Sequence, residues 1–399
     1  MRNTSVLISG AGIAGLAQAY WLDRVGFDVT VVERSPEPRP GGQAIDVRGP
    51  ALTTAERMGI LPGLRRRGTD MRGASAVDAA GNEIYSSTER TFSGGDLDSP
   101  DVEVMRDDLI TLLREAVGDR VEYLFDDSIA AVAQDEDAVH VTFESGLTRS
   151  YDLVVGADGL HSNVRRLVFG PESEFLRYLG TYLAVYTAPN FLNLDRWQTF
   201  CMAESVGGGI MSARGNAEVR VYVGFETDEP IDYDFRDVEA QKRLLAERVG
   251  DVWVFPTALK YMWDAPDFHF DSMSQVRMDH WSRGRVVLLG DAGYCGSPLT
   301  GQGTSMALIG AYVLAGELAA VDGDHRAAFA AYEGELRDFV EKNQALALVN
   351  RKQMEEQAAG DPQAEIQGYE EGLERLNEVV NGITLKDYGF GDDPANVRR

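Results

Sequence analysis

The stretch Val6-Leu7-Ile8-Ser9-Gly10-Ala11-Gly12-Ile13-Ala14-Gly15 decides the fold. An apolar run ends at Ser9, three glycines follow at fixed spacing, and Ile13 to Val25 then repeats its apolar residues at helical intervals. Gly26 stops that helix, and Val29 to Val32 reads as a second buried strand ending at Glu33. The reading is β-α-β, which implies a parallel sheet. Each glycine has a reason. Gly10 permits the tight turn, Gly12 lets backbone approach a pyrophosphate, and Gly15 lets helix and strand pack closely. The helix N-terminus adds free N–H groups and a positive dipole end. Glu33, 18 residues past Gly15, is placed to accept hydrogen bonds from ribose hydroxyls. A Gly-rich helix entry without a ligand leaves Glu33 unexplained, so a dinucleotide is expected here.

Further along, Asp107 to Val117 is predicted helical, and Tyr151 to Val155 and Arg285 to Leu289 are predicted buried strands. Gly303 to Ala320 reads as a long helix rich in small residues. Ser75 to Ser86 reads as a hairpin around Ala80-Gly81-Asn82. In Glu218 to Phe225 the odd positions are all apolar, so they face a core while Arg220 and Tyr222 point the other way. Arg326 to Gln357 is helical in composition, with more helix expected to about Val380. Gly94 to Pro100 and Gly360 to Pro362 are expected surface loops.

At 399 residues the chain exceeds one hydrophobic core and calls for two domains. Its formal net charge of −26 disfavours nucleic acid and anionic lipid as partners. Cys201 and Cys295 form no CxxC and are expected reduced, in a cytoplasmic protein. The five histidines show no metal-ligand spacing, so no metal is expected. Val6 to Leu22 is apolar enough to mimic a signal peptide, but the glycine spacing argues against that, and no other stretch approaches 18 uninterrupted apolar residues.

Two more motifs carry chemistry. One is Asp152-Leu153-Val154-Val155-Gly156-Ala157-Asp158-Gly159-Leu160-His161-Ser162, followed by Arg165 and Arg166. The other is Gly290-Asp291-Ala292, then Pro298-Leu299-Thr300-Gly301-Gln302-Gly303. Asp291 follows a strand end, and the Gly301-to-Gly303 turn opens a helix whose N-terminus favours negative charge.

With these motifs the sequence resembles the FAD-dependent aromatic hydroxylases of the para-hydroxybenzoate hydroxylase type, and within them the compact tetracycline-inactivating branch. The resemblance rests on residues 10–16, on Glu33-Arg34, and on the segments 152–162 and 290–303. It implies an α/β fold: a Rossmann-like FAD-binding domain (1–74, 99–172 and 276–325), an inserted mixed β-sheet substrate domain (75–98 and 173–275), and a long C-terminal helix within 326–399. It adds Gly42, in Gly41-Gly42-Gln43, as a residue of the loop near the flavin, and Arg106, in Met105-Arg106-Asp107, as a flavin contact. The implied cofactor set is Gly10, Gly12, Ala14, Gly15, Glu33, Arg34, Gly42, Arg106, Asp158, Asp291, Pro298, Gly301 and Gly303. Many relatives have histidine where this chain has Tyr294, which puts a histidine contact there in doubt.

The implied activity is a monooxygenase. NADPH or NADH reduces FAD, docking transiently since no second GxGxxG occurs, and O2 yields a flavin hydroperoxide that oxygenates a small aromatic or polyketide-like molecule. The flavin carries the chemistry, so no catalytic side chain is expected. Substrate contacts are expected from Gln198, Arg220 and Tyr222, with Met202, Met211 and Phe225 as further lining candidates better explained as core. A monomer or weak homodimer is expected. The alternatives are a reductase or halogenase of the same fold, or a non-catalytic flavin carrier. Halogenases usually carry WxWxIP, which Val252-Trp253-Val254-Phe255-Pro256 only echoes.

Overall fold

The computed structural model describes residues 3–38, 41–201, 203, 205–358 and 375–390. Two sheets organise it. The first has six strands in the order Ser282–Arg283, Val286–Leu288, Leu153–Gly156, Ser5–Ser9, Asp28–Glu33, Glu122–Phe125. All neighbours run parallel except the Ser282–Arg283 edge. Ser5–Ser9 lies at the centre, with its successor Asp28–Glu33 on one side and Leu153–Gly156 on the other. The strand order reverses there, and such a point opens a crevice at the carboxyl ends of the strands. Val6, Leu7 and Ile8 are fully buried, as a sheet covered on both faces requires.

Helices Ile13–Arg24 and Gly303–Ala320 pack together, and the second is apolar on all sides. Gly303–Ala320 is long and apolar enough to cross a membrane, but 78% of it is buried inside the protein, which makes it a core helix. The helix His325–Ala358 lies against it, burying Leu336, Phe339, Val340 and Leu346.

The second sheet has seven strands in the order His269–Val276, Leu176–Pro189, Glu218–Glu226, Val206–Ala213, Trp197–Cys201, Gly73–Val77, Glu83–Ser87. It is antiparallel except where Trp197–Cys201 runs parallel to Gly73–Val77. Val219, Val221, Val223 and Phe225 enter a core with helices Val238–Val249 and Phe255–Met262, as the period-two pattern requires. A short antiparallel ladder, Ala44–Val47 with Val102–Met105, is separate from both sheets.

One expectation needs correction. Tyr151 to Val155 is not one strand. Thr148–Tyr151 belongs to a three-stranded antiparallel sheet, and Leu153–Gly156 starts anew in the parallel one. Asp152 makes the break: its carboxylate accepts the N–H groups of Thr4 and Ser5, both at 2.8 Å. The helix expected to reach about Val380 does end there in the described residues. A short helix over 375–380 gives way to an extended strap across the first helix, with Trp21 and Phe390 rings 5.4 Å apart and Tyr312 and Tyr388 rings 5.2 Å apart. Gly360 to Pro362 lies outside the described residues.

Candidate active site

The first glycine turn leaves the carboxyl end of the central strand. A Cβ on Gly15 would stand 1.9 Å from the Gly10 carbonyl oxygen, and one on Gly10 would stand 2.5 Å from the Ala157 oxygen. Both positions are closed to any side chain. Gly12, the N-cap of Ile13–Arg24, has nothing within 4 Å of its missing Cβ, so the helix N-terminus opens onto free space. The Glu33 carboxylate accepts the N–H of Ala11 at 2.8 Å and of Ser35 at 2.9 Å, which fixes it at the rim of that space. Each oxygen keeps a lone pair for a further donor. Arg34 is exposed beside it. Ala14 lies next to Gly290, whose added Cβ would come within 3.1 Å of the Ala14 methyl.

The other two motifs meet the same cleft. Asp158 accepts the N–H of Val164 at 3.0 Å and the Ser162 hydroxyl, which caps the helix Asn163–Val168. Arg165 is fully buried and donates to Leu160 O at 2.6 Å and Ala292 O at 2.9 Å, tying the second motif to the third. Asp291 is exposed to the cleft, yet protein surrounds it closely enough that desolvation raises its pKa. Gly303, the first residue of the core helix, would bring an added Cβ to 3.9 Å from Asp291 Oδ1. Pro298 and Gly301 are exposed on the turn before it, and Gly301 takes a left-handed φ of 62°. Tyr294 faces away from the cleft. Its hydroxyl accepts from Tyr332 at 3.1 Å and stands where a Cβ on Gly310 would be, so it packs the core helix instead.

The second sheet reaches over through the loop Gly41 to Ala44. Arg220, 2% exposed, donates from Nε to Gly42 O at 2.9 Å and pairs with Glu218 at 2.8 Å. The Tyr222 hydroxyl accepts the Ala44 N–H at 2.9 Å, and burial holds its pKa well above the ordinary tyrosine value. Gly42 has φ 106°, and its missing Cβ would come within 3.2 Å of the Arg106 side chain. Arg106 opens the helix Arg106–Val117 and donates its N–H to Gln43 O at 3.0 Å. Gln198 is fully buried: its oxygen accepts the N–H of Phe92 at 3.2 Å, and its amide donates to Ser93 Oγ. The loop at Phe92 and Ser93 therefore occupies the face expected to meet substrate. Met211 and Phe225 are core residues, and Met202 lies outside the described residues.

Several residues of the site had no role assigned from the sequence, although His161 and Gln302 lie inside its motifs. Asp267 accepts the N–H of Thr187 at 2.8 Å and of Gly42 at 3.3 Å, a second tie between sheet and loop. His161 bridges Glu172 at 3.0 Å and Asp271 at 3.1 Å, linking the second motif to the His269–Val276 strand. Burial alone would lower its pKa, but the two carboxylates override that and raise it to about 9. Gln302 is fully buried at the N-cap of the core helix, with neither amide atom partnered among the described residues. An orphaned amide here, the open space at Gly12 and a carboxylate exposed in a walled cleft are what a site built around a polar, phosphate-bearing cofactor leaves when only protein atoms are counted.

Known proteins agree. The sequence profile described as FAD binding domain matches residues 3–347. An uncharacterised protein of Mycobacterium tuberculosis is 53% identical over 385 residues, covering 96% of this chain and all of its own. A flavin-dependent monooxygenase of Legionella longbeachae is 36% identical over 394 residues, covering 97% and 99%. The crystal structure of tetracycline destructase Tet(51) superposes with a TM-score of 0.88 at 35% identity, covering 97% and 100%. The chain belongs to the FAD-binding family of flavin-dependent monooxygenases, FAD-dependent oxidoreductases that consume NAD(P)H and O2.

Proposed function

We propose that this enzyme hydroxylates a small, electron-rich aromatic or enolic molecule of polyketide-like character, held between the cleft and the Arg220–Tyr222 face of the seven-stranded sheet. The observation that carries the reading is the meeting at one cleft of the parallel strands' carboxyl ends, the exposed Asp291, and a loop that Arg220 and Tyr222 clamp from the second sheet. The likeness to tetracycline destructase supports the substrate class. On this reading residues 1–74, 99–172 and 276–325 hold FAD, 75–98 and 173–275 cover the substrate, and 326–399 brace both.

FAD would lie with its pyrophosphate on Gly10, Gly12, Ala14 and Gly15, its adenosine ribose on Glu33 beside Arg34, and its ribityl chain near Asp158 and Asp291. Pro298, Gly301, Gly303, Gly42 and Arg106 would border the flavin ring. When bound, FAD supplies hydride acceptance and oxygen activation. The chain's own contribution is positional. The N-terminus of Gly303–Ala320 favours negative charge in the cleft. Arg220 and Tyr222 hold the Gly41–Ala44 loop against the second sheet, which narrows the path for water. Gln198 holds the Phe92–Ser93 loop that shapes the pocket wall. Cys201 and Cys295 are both free and buried, which suits a reducing, cytoplasmic setting and a monomer or weak dimer without disulfides.

A screen of phenolic and polyketide substrates tests the proposal, read by NAD(P)H oxidation with product mass recorded. Slow oxidation alone, faster oxidation with the right substrate, and a product heavier by one oxygen are expected. Anaerobic turnover with a two-hydrogen change would move the protein to the reductases.

A further inference from the structure

Asp46 and Glu103 stand directly opposite each other in the ladder between Ala44–Val47 and Val102–Met105. Arg48, two residues from Asp46, shares its face and pairs with Asp46 at 3.0 Å. Asp46 and Arg48 are both buried. Arg48 acts as a cation on both carboxyls, and a third carboxyl, Asp101, is near enough to act on Asp46 as well. Two ionised carboxylates directly across a ladder repel, and burial strengthens the repulsion. One guanidinium neutralises one of them.

The cluster also touches the cleft. The Arg48 N–H donates to Ser305 Oγ at 3.1 Å, in the first turn of the core helix, and Asp46 Oδ2 lies 3.9 Å from where a Cβ on Gly301 would stand. Arg48 Nη2 donates to Ser93 O at 2.9 Å, and Glu103 accepts the hydroxyls of Ser93 and Thr69. Tyr222, next to Arg220, faces the same carboxyls. Asp46 Oδ1 and Arg48 Nε have no hydrogen-bond partner among the described residues.

We propose that Asp46 and Glu103 hold one proton between them, and that this pair, braced by Arg48, positions the Gly41–Ala44 loop and the Pro298–Gly303 turn around FAD. Losing the proton to solvent leaves a second, uncompensated negative charge beside the turn that receives an anionic cofactor. Nothing is oxidised or reduced. Burial raises Asp46 to about 7 and moves Glu103 in the same direction, so the exchange falls near neutrality. FAD should therefore bind more weakly as the pH rises through that range.

The test reads two signals on the full chain across pH: the infrared band of protonated carboxylic acid, and the FAD dissociation constant from flavin fluorescence. In the unaltered protein part of the band should vanish through about pH 7, and the dissociation constant should rise by up to about tenfold per pH unit. Asp46→Asn and Glu103→Gln should each remove that part of the band and flatten the FAD profile, since an amide stands in for the protonated acid. Asp158 and Asp291 are also held above the usual carboxyl range, so the variants assign the band. A band and slope unchanged in both variants would overturn the proposal, as would an unaltered protein with no protonated acid. If a variant fails to fold, the unaltered protein and the other variant decide. Because the proposal rests on the cradle assigned above, failure of that assignment would appear separately, as absence of FAD binding with the band intact.

Discussion

The two sheets serve one cleft by different means. The six-stranded sheet offers backbone: glycine turns at Gly10–Gly15 and Gly301–Gly303, helix N-termini, and few side chains beyond Glu33 and Asp291. The seven-stranded sheet offers side chains: Arg220 and Tyr222, with Asp267 just before its edge strand, reach across and grip the Gly41–Ala44 loop. The contrast teaches where each half tolerates change. A backbone site fails when a Cβ is added, whereas a side-chain site fails in graded steps as hydrogen bonds are removed.

The largest effect should come from Gly15→Ala. Its Cβ would meet the Gly10 carbonyl at 1.9 Å, and strand and helix must move apart. A loss of more than about 4 kcal/mol of stability is expected, with FAD binding abolished. A melting curve and flavin retention measure both, and a near-normal variant would break the backbone half of the comparison.

Asp291→Ala should be milder and cleaner. The residue is exposed in the cleft, so the apoprotein should melt as the parent does, while FAD affinity falls by about 1–3 kcal/mol. Equal FAD affinity would remove Asp291 from the site.

His161 couples the halves, and its effect depends on pH. It faces Glu172, Asp271, Arg165 and the stacked ring of Phe235, with Tyr233 and His269 around Asp271. Its folded pKa of about 9 lies above the ordinary 6.5. Its contribution is therefore complete below about pH 6.5 and lost as pH rises through about 9. Denaturant titrations should show that loss in the parent and a flatter profile in His161→Gln over the same window.

The smallest effect belongs to Tyr222→Phe, which removes one acceptor from Ala44 N–H. About 1 kcal/mol of stability should go, with FAD affinity nearly unchanged and the substrate's KM raised. A larger loss of FAD than of substrate binding would blur the distinction between the sheets.

What was legible in the sequence follows the same division. A backbone site needs particular residues in a short window, so Gly10, Gly12, Gly15 and Glu33 declared the first sheet and a dinucleotide site together, while FAD in particular entered only with the segments 152–162 and 290–303 and the resemblance they carry. The alternation in Glu218–Glu226 sorted Val219 to Phe225 from Arg220 and Tyr222 because period two is local. The partners of those side chains were not legible. Nothing near Gln198 announces that Phe92 and Ser93 will cover it, and Asp46 becomes significant only when Glu103 is placed opposite. His161 lies 110 residues from Asp271. The break at Asp152 was hidden because Tyr151 precedes it and the apolar run Leu153 to Val155 follows it. The strap over 381–390 rests on contacts of Phe390 with Trp21 and Tyr312, far away in sequence.

The central claim is that the cleft transfers an oxygen atom from O2 to a substrate. The most direct measurement is turnover with NAD(P)H under isotopically heavy O2, followed by mass analysis of the product. One heavy oxygen atom per product molecule is the expected result. Product oxygen drawn instead from labelled water would contradict the account.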